Sequence, residues 1–195
     1  MWDQRYNTAD YVYGTRPNEF LADVAGGIPR GRVLCIAEGE GRNAVYLAEL
    51  GHEVVAVDAS TVGLEKAEKL ARERGVAIET VVADLADYEI EKKSFDAVVS
   101  IFAHVPPVIR APLHRRIVAG LKPGGVLVLE AYTPDQIACG TGGPPVAELT
   151  MTLRALQDEL RGLEFRHAVE LRRDVIEGSL HTGTGAVVQV VAVKP

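Results

Sequence analysis

Cysteine is nearly absent: Cys35 and Cys139 are the only two in 195 residues. A disulfide framework is therefore excluded, and reduced thiols in the cytoplasm are the economical expectation. A basic excess is missing as well. Twenty-one Lys and Arg stand against 27 Asp and Glu, a formal charge of −6 with a pI near 5.4. Long-range steering toward nucleic acid or an anionic membrane is disfavoured by that balance. The densest basic run, Arg110, His114, Arg115 and Arg116, reads as a solvated helix face. No apolar run approaches the roughly 20 residues needed to span a bilayer. The opening Trp2-Asp3-Gln4-Arg5-Tyr6 is too polar and aromatic for a signal peptide. Neither a membrane nor a nucleic-acid partner is expected. No spacing among the five histidines and the cysteines suggests a metal site.

What the chain has is alternation. Val33-Leu34-Cys35-Ile36 is a short apolar run, read as a buried strand, and Gly39 and Gly41 follow one residue apart. A helical pattern (Ala44, Leu47, Ala48) comes next, with Gly51 placed to stop it. Strand signals recur at 53–58, 78–82, 95–102 and 126–130. Ser60 is placed to cap a helix carrying Leu64, Ala67, Leu70 and Ala71, closed by Gly75. Another helix is expected to start near Pro112 and run through Leu113, Ile117, Val118 and Leu121. Lys122-Pro123-Gly124-Gly125 reads as a turn. Residues 132–146 are rich in glycine and proline without periodicity, the pattern of a lid or binding loop. Leu149, Leu153, Leu156 and Leu160 form a last amphipathic helix. Phe165, His167, Val169 and Leu171 alternate with polar residues, and 186–193 is the most apolar strand. Gly178, Gly183 and Gly185 between these two suit a hairpin, so the pair should be antiparallel. The expectation is an α/β protein with a doubly wound, seven-stranded, mostly parallel sheet. It should be one domain over 1–195, with 1–20 as a candidate aromatic lid.

In such sheets ligands bind beyond the carboxyl ends of the strands. The glycine turn, Asp58, Asp84 and the residues after Phe102 all fall there. Asp58, ending its strand, can accept hydrogen bonds from ribose hydroxyls, which marks a nucleoside-binding half-domain. Gly39-x-Gly41-x-x-Ala44 formally satisfies the dinucleotide fingerprint, so an NAD(P) oxidoreductase is one alternative. A pyrophosphate on that turn would meet Glu38 and Glu40 at about 4–6 Å, which is unfavourable by kilocalories. S-adenosylmethionine carries no phosphate there; it presents an ammonium and a sulfonium, which carboxylates favour.

The chain also resembles the class I S-adenosylmethionine-dependent methyltransferases over almost its full length. The glycine turn, Asp58, Asp84-Leu85, Phe95-Asp96 and Leu121-Lys122-Pro123-Gly124-Gly125 carry the likeness. Trp2-Asp3-x-Arg5-Tyr6, Tyr13-Gly14-x-x-Pro17-Asn18 and Gly41-Arg42-Asn43-Ala44-x-Tyr46-Leu47-Ala48 are similar to the small tellurite-resistance and thiol (thiopurine-type) methyltransferases. The resemblance implies a Rossmann-like fold with S-adenosylmethionine as cofactor. Gly39 and Gly41 would pass under its methionine part, and Asp58 would bind both ribose hydroxyls. Asp84 would accept from the adenine amino group, and the main chain of Leu85 would meet adenine N1. Tyr13, Ala59 and Phe102 complete the expected cofactor contacts. The first motif departs from the family, which usually has an acidic residue at Cys35 and a glycine at Ala37. Glu38 or Glu40 would then hold the ammonium.

On the acceptor side, His104 is a candidate general base, and a hydrogen-bonded cleft histidine is its plainer reading. His181 could reach the cleft rim as a substrate contact or be a loop histidine. Arg16 and Arg42 could hold an oxyanion acceptor or form salt bridges. Trp2, Tyr6, Tyr11 and Tyr13 could form an aromatic lid over the sulfonium or pin the segment to the core. The expected function is methyl transfer to a small soft nucleophile: a thiol, selenol, tellurite-like oxyanion or halide. A non-catalytic S-adenosylmethionine-binding module is the remaining alternative.

Overall fold

The computed structural model describes residues 2–178 and 181–195, and of His181 only the backbone. Two short helices, α1 (Trp2–Tyr6) and α2 (Glu19–Val24), precede the first strand, β1 (Arg32–Ile36). Then α3 (Arg42–Glu49), β2 (Glu53–Asp58), α4 (Thr61–Glu73), β3 (Glu79–Val82) and β4 (Phe95–Ile101) alternate as expected. They are followed by α5 (Pro107–Gly120), β5 (Leu121–Tyr132), α6 (Gln136–Cys139), α7 (Leu153–Glu159), β6 (Glu164–Glu177) and β7 (His181–Val193). The seven strands form one sheet in the order β3-β2-β1-β4-β5-β7-β6. Pairings from β3 to β5 are parallel, and β7 runs antiparallel to both β5 and β6. The strand order reverses between β1 and β4, which is where such sheets open a ligand crevice.

Alternation along the central strands sorts the core into two layers. Leu34, Ile36, Val98, Leu127 and Leu129 face Leu113 and Ile117 of α5 and Leu156 of α7. Val33, Cys35, Ala97, Val99 and Val128 face Leu21 of α2, Ala44 and Leu47 of α3, and Leu64 of α4. Both faces are covered, so the parallel strands are continuous in apolar residues rather than alternating with polar ones. Ser60 caps α4 by accepting from the Gly63 N–H at 3.0 Å.

The structure moves several expected boundaries. Helix α5 begins at Pro107, with Pro112 inside it. Strand β5 runs through the Lys122–Gly125 turn, whose Gly124 N–H is taken by the Lys194 carbonyl at 2.8 Å. Leu149 belongs to a single 3-10 turn, and α7 starts after Thr152, whose hydroxyl accepts from the Ala155 N–H at 3.2 Å. Gly183 and Gly185 lie within β7, paired with Val175 and Arg173, so the hairpin strands run longer than expected.

Candidate functional site

The turn after β1 places Ala37 with φ 49° and Gly39 with φ 61°, both left-handed. For an alanine that conformation costs about 1–2 kcal/mol, at the position where the family pattern has glycine. Gly39 and Gly41 are needed for close packing. A Cβ at Gly39 would sit 2.5 Å from the Tyr6 hydroxyl, and one at Gly41 2.4 Å from the Ala67 side chain. Neither glycine is among the residues lining the crevice. They let α1 and α4 close onto the turn, between Glu38 and Glu40, which do line the crevice.

Glu38 is the turn's chemical centre. Helix α3 has Gly41 at its N-cap and no side-chain cap from that residue. Glu38 supplies one from the loop, its Oε1 accepting from the N–H groups of Asn43 at 3.0 Å and Ala44 at 2.7 Å. Burial pushes its carboxyl up to about 7, although those N–H groups and the charge of Arg42 pull the other way. Glu40 has a different life. Its Oε2 accepts from the Val12 N–H at 2.8 Å and the Tyr13 N–H at 3.3 Å, and Oε1 pairs with the Lys66 ammonium. Glu40 is thus neutralised, which removes it from the expected repulsion of phosphate and from the expected hold on an ammonium.

Asp58 ends β2 with Oδ2 on the Gly39 N–H at 2.9 Å and Oδ1 on the Ser60 N–H at 2.8 Å. Burial raises its pKa. Asp84 is exposed after β3 and accepts from the Ala86 N–H at 2.8 Å. Arg116 of α5 donates to the Leu85 carbonyl at 2.5 Å and the Ala86 carbonyl at 3.2 Å, which fixes this loop from behind.

Phe102 follows β4 with φ 53°, a second strained residue beside the crevice, and stacks on Tyr132 at 4.5 Å. His104 stacks on the same tyrosine at 5.6 Å. Its Nδ1 lies 2.8 Å from the Leu149 carbonyl, and its Nε2 accepts from the Tyr132 N–H at 3.3 Å. Burial lowers its pKa to about 4. Both ring nitrogens are committed, so the expectation of a general base at His104 is corrected to its plainer reading, a hydrogen-bonded cleft histidine.

One wall of the crevice comes from the N-terminal segment. Trp2 stacks on Tyr6 at 5.8 Å, and Tyr6 meets Tyr13 edge-on at 6.3 Å. Lys66 binds the carbonyls of Tyr6 and Asp10 besides Glu40, and Asp3 accepts from the Ser60 hydroxyl at 2.5 Å. Beside this wall the end of β6 arrives. Gly178 packs so tightly that an added Cβ would lie 2.2 Å from the Val12 carbonyl. Behind it is a buried polar network. Arg42 binds Glu177 at 2.5 Å, Arg173 grips Glu130 at 2.8 and 2.7 Å, and Asn18 bridges Glu130 at 2.6 Å and Glu177 at 2.8 Å. Burial would raise Glu177, but Arg42 and Arg173 more than offset it and its pKa is lowered. Arg42 is therefore a salt-bridge residue. Arg16 is exposed and is not among the residues that line the crevice. The side chain of His181 lies outside the described residues.

These elements enclose a cavity of about 290 Å³ at the carboxyl ends of β1, β2 and β4. Tyr13, Glu38, Glu40, Asp58, Ala59, Asp84, Leu85, Phe102 and His104 all line it. Trp2 and Tyr6 join them, as do residues the sequence reading did not assign to it, notably Asn43, Ile101 and Val105. Their signal was available only as neighbours of read positions. Among the described residues no group of three or more His, Cys, Asp or Glu could hold a metal. No helix among them is long and apolar enough to cross a membrane.

The sequence profile of a methyltransferase domain matches residues 33–125, the stretch from β1 to the Gly124-Gly125 turn. The 2-heptyl-1-hydroxyquinolin-4(1H)-one methyltransferase of Mycobacteroides abscessus is 33% identical over 125 residues, 60% of this chain and 55% of that protein. The uncharacterized methyltransferase YbaJ of Bacillus subtilis is 31% identical over 168 residues, 78% of this chain and 65% of the relative. The chain thus spans between half and two thirds of the length of these two relatives. In fold it is similar to TehB from Haemophilus influenzae, with a TM-score of 0.76 at 18% identity over all of this chain and 66% of that one.

Proposed function

We propose that this chain, which in domain and fold belongs to the class I S-adenosylmethionine-dependent methyltransferases, binds S-adenosylmethionine in its cavity and transfers the methyl group to a small soft nucleophile. The observation that carries the reading is the enclosed cavity itself: carboxylates at the ends of β1 and β2, an aromatic wall, and no available base at His104. The lining fits the cofactor. Glu38 is a buried carboxylate without an ion pair among the described residues, suited to an ammonium, and Asp58 stands at the place of ribose recognition. Asp84 and the Leu85 main chain take the adenine, held in place by Arg116. Trp2, Tyr6, Tyr13 and Phe102 enclose the reacting centre.

When bound, the cofactor supplies a methyl group activated on a sulfonium. The protein's part is to hold the two reactants about 3–3.5 Å apart and keep water out, which supplies most of the rate for an in-line displacement. Tyr6 and Tyr13 offer ring faces to a sulfonium, worth about 0.5–2 kcal/mol. His104 carries its one proton on Nδ1, donated to the Leu149 carbonyl, and takes up no second one near neutrality. An acceptor that is already nucleophilic, such as a thiolate, selenolate, tellurite or halide, fits such a site better than one that must be deprotonated. The net charge of −6 speaks against a nucleic-acid acceptor. Two free cysteines suit the reducing conditions of the cytoplasm.

An acceptor panel of thiols, selenols, tellurite, halides and small phenols, read by release of S-adenosylhomocysteine, tests the reading. Turnover should be highest with the soft acceptors and poor with phenols near neutral pH. A folded protein that binds S-adenosylhomocysteine but turns over none of them would be a binding module. Preference for tRNA over every small acceptor would overturn the acceptor class.

A further inference from the structure

We infer that Glu38 is the anchor for the cofactor's amino-acid ammonium, a role moved from the strand residue Cys35 to the loop three residues later. The inference rests on the reading above and concerns one contact within it. Cys35 is fully buried, and its thiol is held neutral by burial and by the nearby Glu38 charge. Glu38 thus puts its carboxylate close to the β1 side chain that would ordinarily be acidic. One oxygen caps α3, which fixes the group in place, and the residue lines the cavity while only 9% exposed. Its neighbours leave it without a counter-ion. Arg42 of α3, the nearest cation, is bonded to Glu177, and Lys66 of α4 is bonded to Glu40. Asp58 of β2 adds a second negative charge. A buried carboxylate lining a cavity, hydrogen-bonded on one oxygen and with no ion pair among the described residues, has room for a cation from outside on its other oxygen.

Proton linkage follows. The carboxyl titrates near 7 when the cavity holds no cation, and an ammonium beside it would lower that value. Binding near pH 7 then releases about half a proton to solvent. Between pH 7 and pH 5.5, below the titration of the ligand's own amino group, affinity for S-adenosylhomocysteine should fall roughly tenfold.

Calorimetry with the full chain at pH 5.5, 6.2 and 7.0, in buffers of differing ionisation enthalpy, reads both quantities without any mutation. The wild type should show the tenfold loss and the proton release, and 5′-methylthioadenosine, which lacks the amino-acid end, should show neither. Glu38→Gln should weaken S-adenosylhomocysteine at pH 7 by tenfold or more and flatten the pH profile. Cys35→Asp combined with Glu38→Gln should recover part of the affinity at pH 7. If S-adenosylhomocysteine binds the wild type tightly with no pH slope and no proton release, the anchor is elsewhere while the methyltransferase reading stands. If the folded wild type fails to bind S-adenosylhomocysteine at every pH, the functional reading itself fails.

Discussion

His104 and Glu38 are two ionisable side chains that burial drives in opposite directions. Deep packing lowers His104 to about 4, against about 6.5 for an unfolded histidine. Its contribution to stability is full above pH 6.5 and is lost as pH falls toward 4. His104→Phe should therefore reduce the drop in urea stability between pH 7 and pH 5. It also removes the hydrogen bond to the Leu149 carbonyl, at about 1–3 kcal/mol. An unchanged pH sensitivity would mean that His104 is not held neutral. Glu38 works the other way: its folded value near 7 lies above the unfolded one, so its contribution is present below about 4.3 and lost as pH rises through 7. Asp58 belongs to the same scale. Asp58→Asn should weaken S-adenosylhomocysteine binding at least tenfold in calorimetry, the loss of one charge-assisted bond of about 1.5–3 kcal/mol. Intact affinity would remove Asp58 from ribose recognition. At this scale Asp58, Glu38, Asp84 and Leu85 were legible because strand ends fix where their side chains go. The engagement of Glu40 by Lys66 was not, since it depends on α4 lying against residues 6–13, fifty-odd positions earlier in the chain.

Among the elements, α4 does more than its amphipathic pattern announces. Its Lys66 collects three acceptors from the N-terminal segment and the glycine turn, and its Ser60 cap binds Asp3. Lys66→Met would leave Glu40 buried without its cation, held only by the Val12 and Tyr13 N–H groups, a loss of about 3–5 kcal/mol. Amides 6–14 should then lose hydrogen-exchange protection before the sheet does. If they keep it, aromatic burial and not the ion pair holds the segment. The elements were read where one signal sufficed: Ser60 and Gly75 bracket α4, and apolar runs mark β1, β2 and β4. Where two signals compete, the sequence alone misplaces the boundary. Pro112 looked like a first helical residue, yet Pro107 already starts α5 and Pro112 is accommodated within it. Gly183 and Gly185 looked like turn residues but pair within β7, because the long partner strand β6 supplies their ladder. Helices α1 and α2 are too short for periodicity to show.

For the molecule as a whole, the sheet is complete without its first residues, since the first strand begins at Arg32. Deleting residues 1–14 should leave a cooperative thermal transition while abolishing cofactor retention, with circular dichroism and calorimetry as the two readouts. Loss of the transition would make the segment part of the folding core. The doubly wound order and the place of the crevice were readable from the strand-helix alternation alone; the polar network joining Asn18, Arg42, Glu130, Arg173 and Glu177 was not, because its members come from four separate places in the chain: the α2 N-cap, α3, β5 and β6. One consequence concerns traffic. Gly178 presses on Val12 and Tyr13 while Lys66 holds the same segment from the other side, so the wall over the glycine turn cannot lift without breaking several contacts at once. An acceptor entering beside Val105 and Phe102, which line the cavity, would bypass that clasp. Steady-state kinetics should then be ordered, with S-adenosylmethionine entering first and S-adenosylhomocysteine leaving last. The spent cofactor should inhibit competitively against S-adenosylmethionine and noncompetitively against the acceptor, so that the wall over the turn sets the pace of turnover.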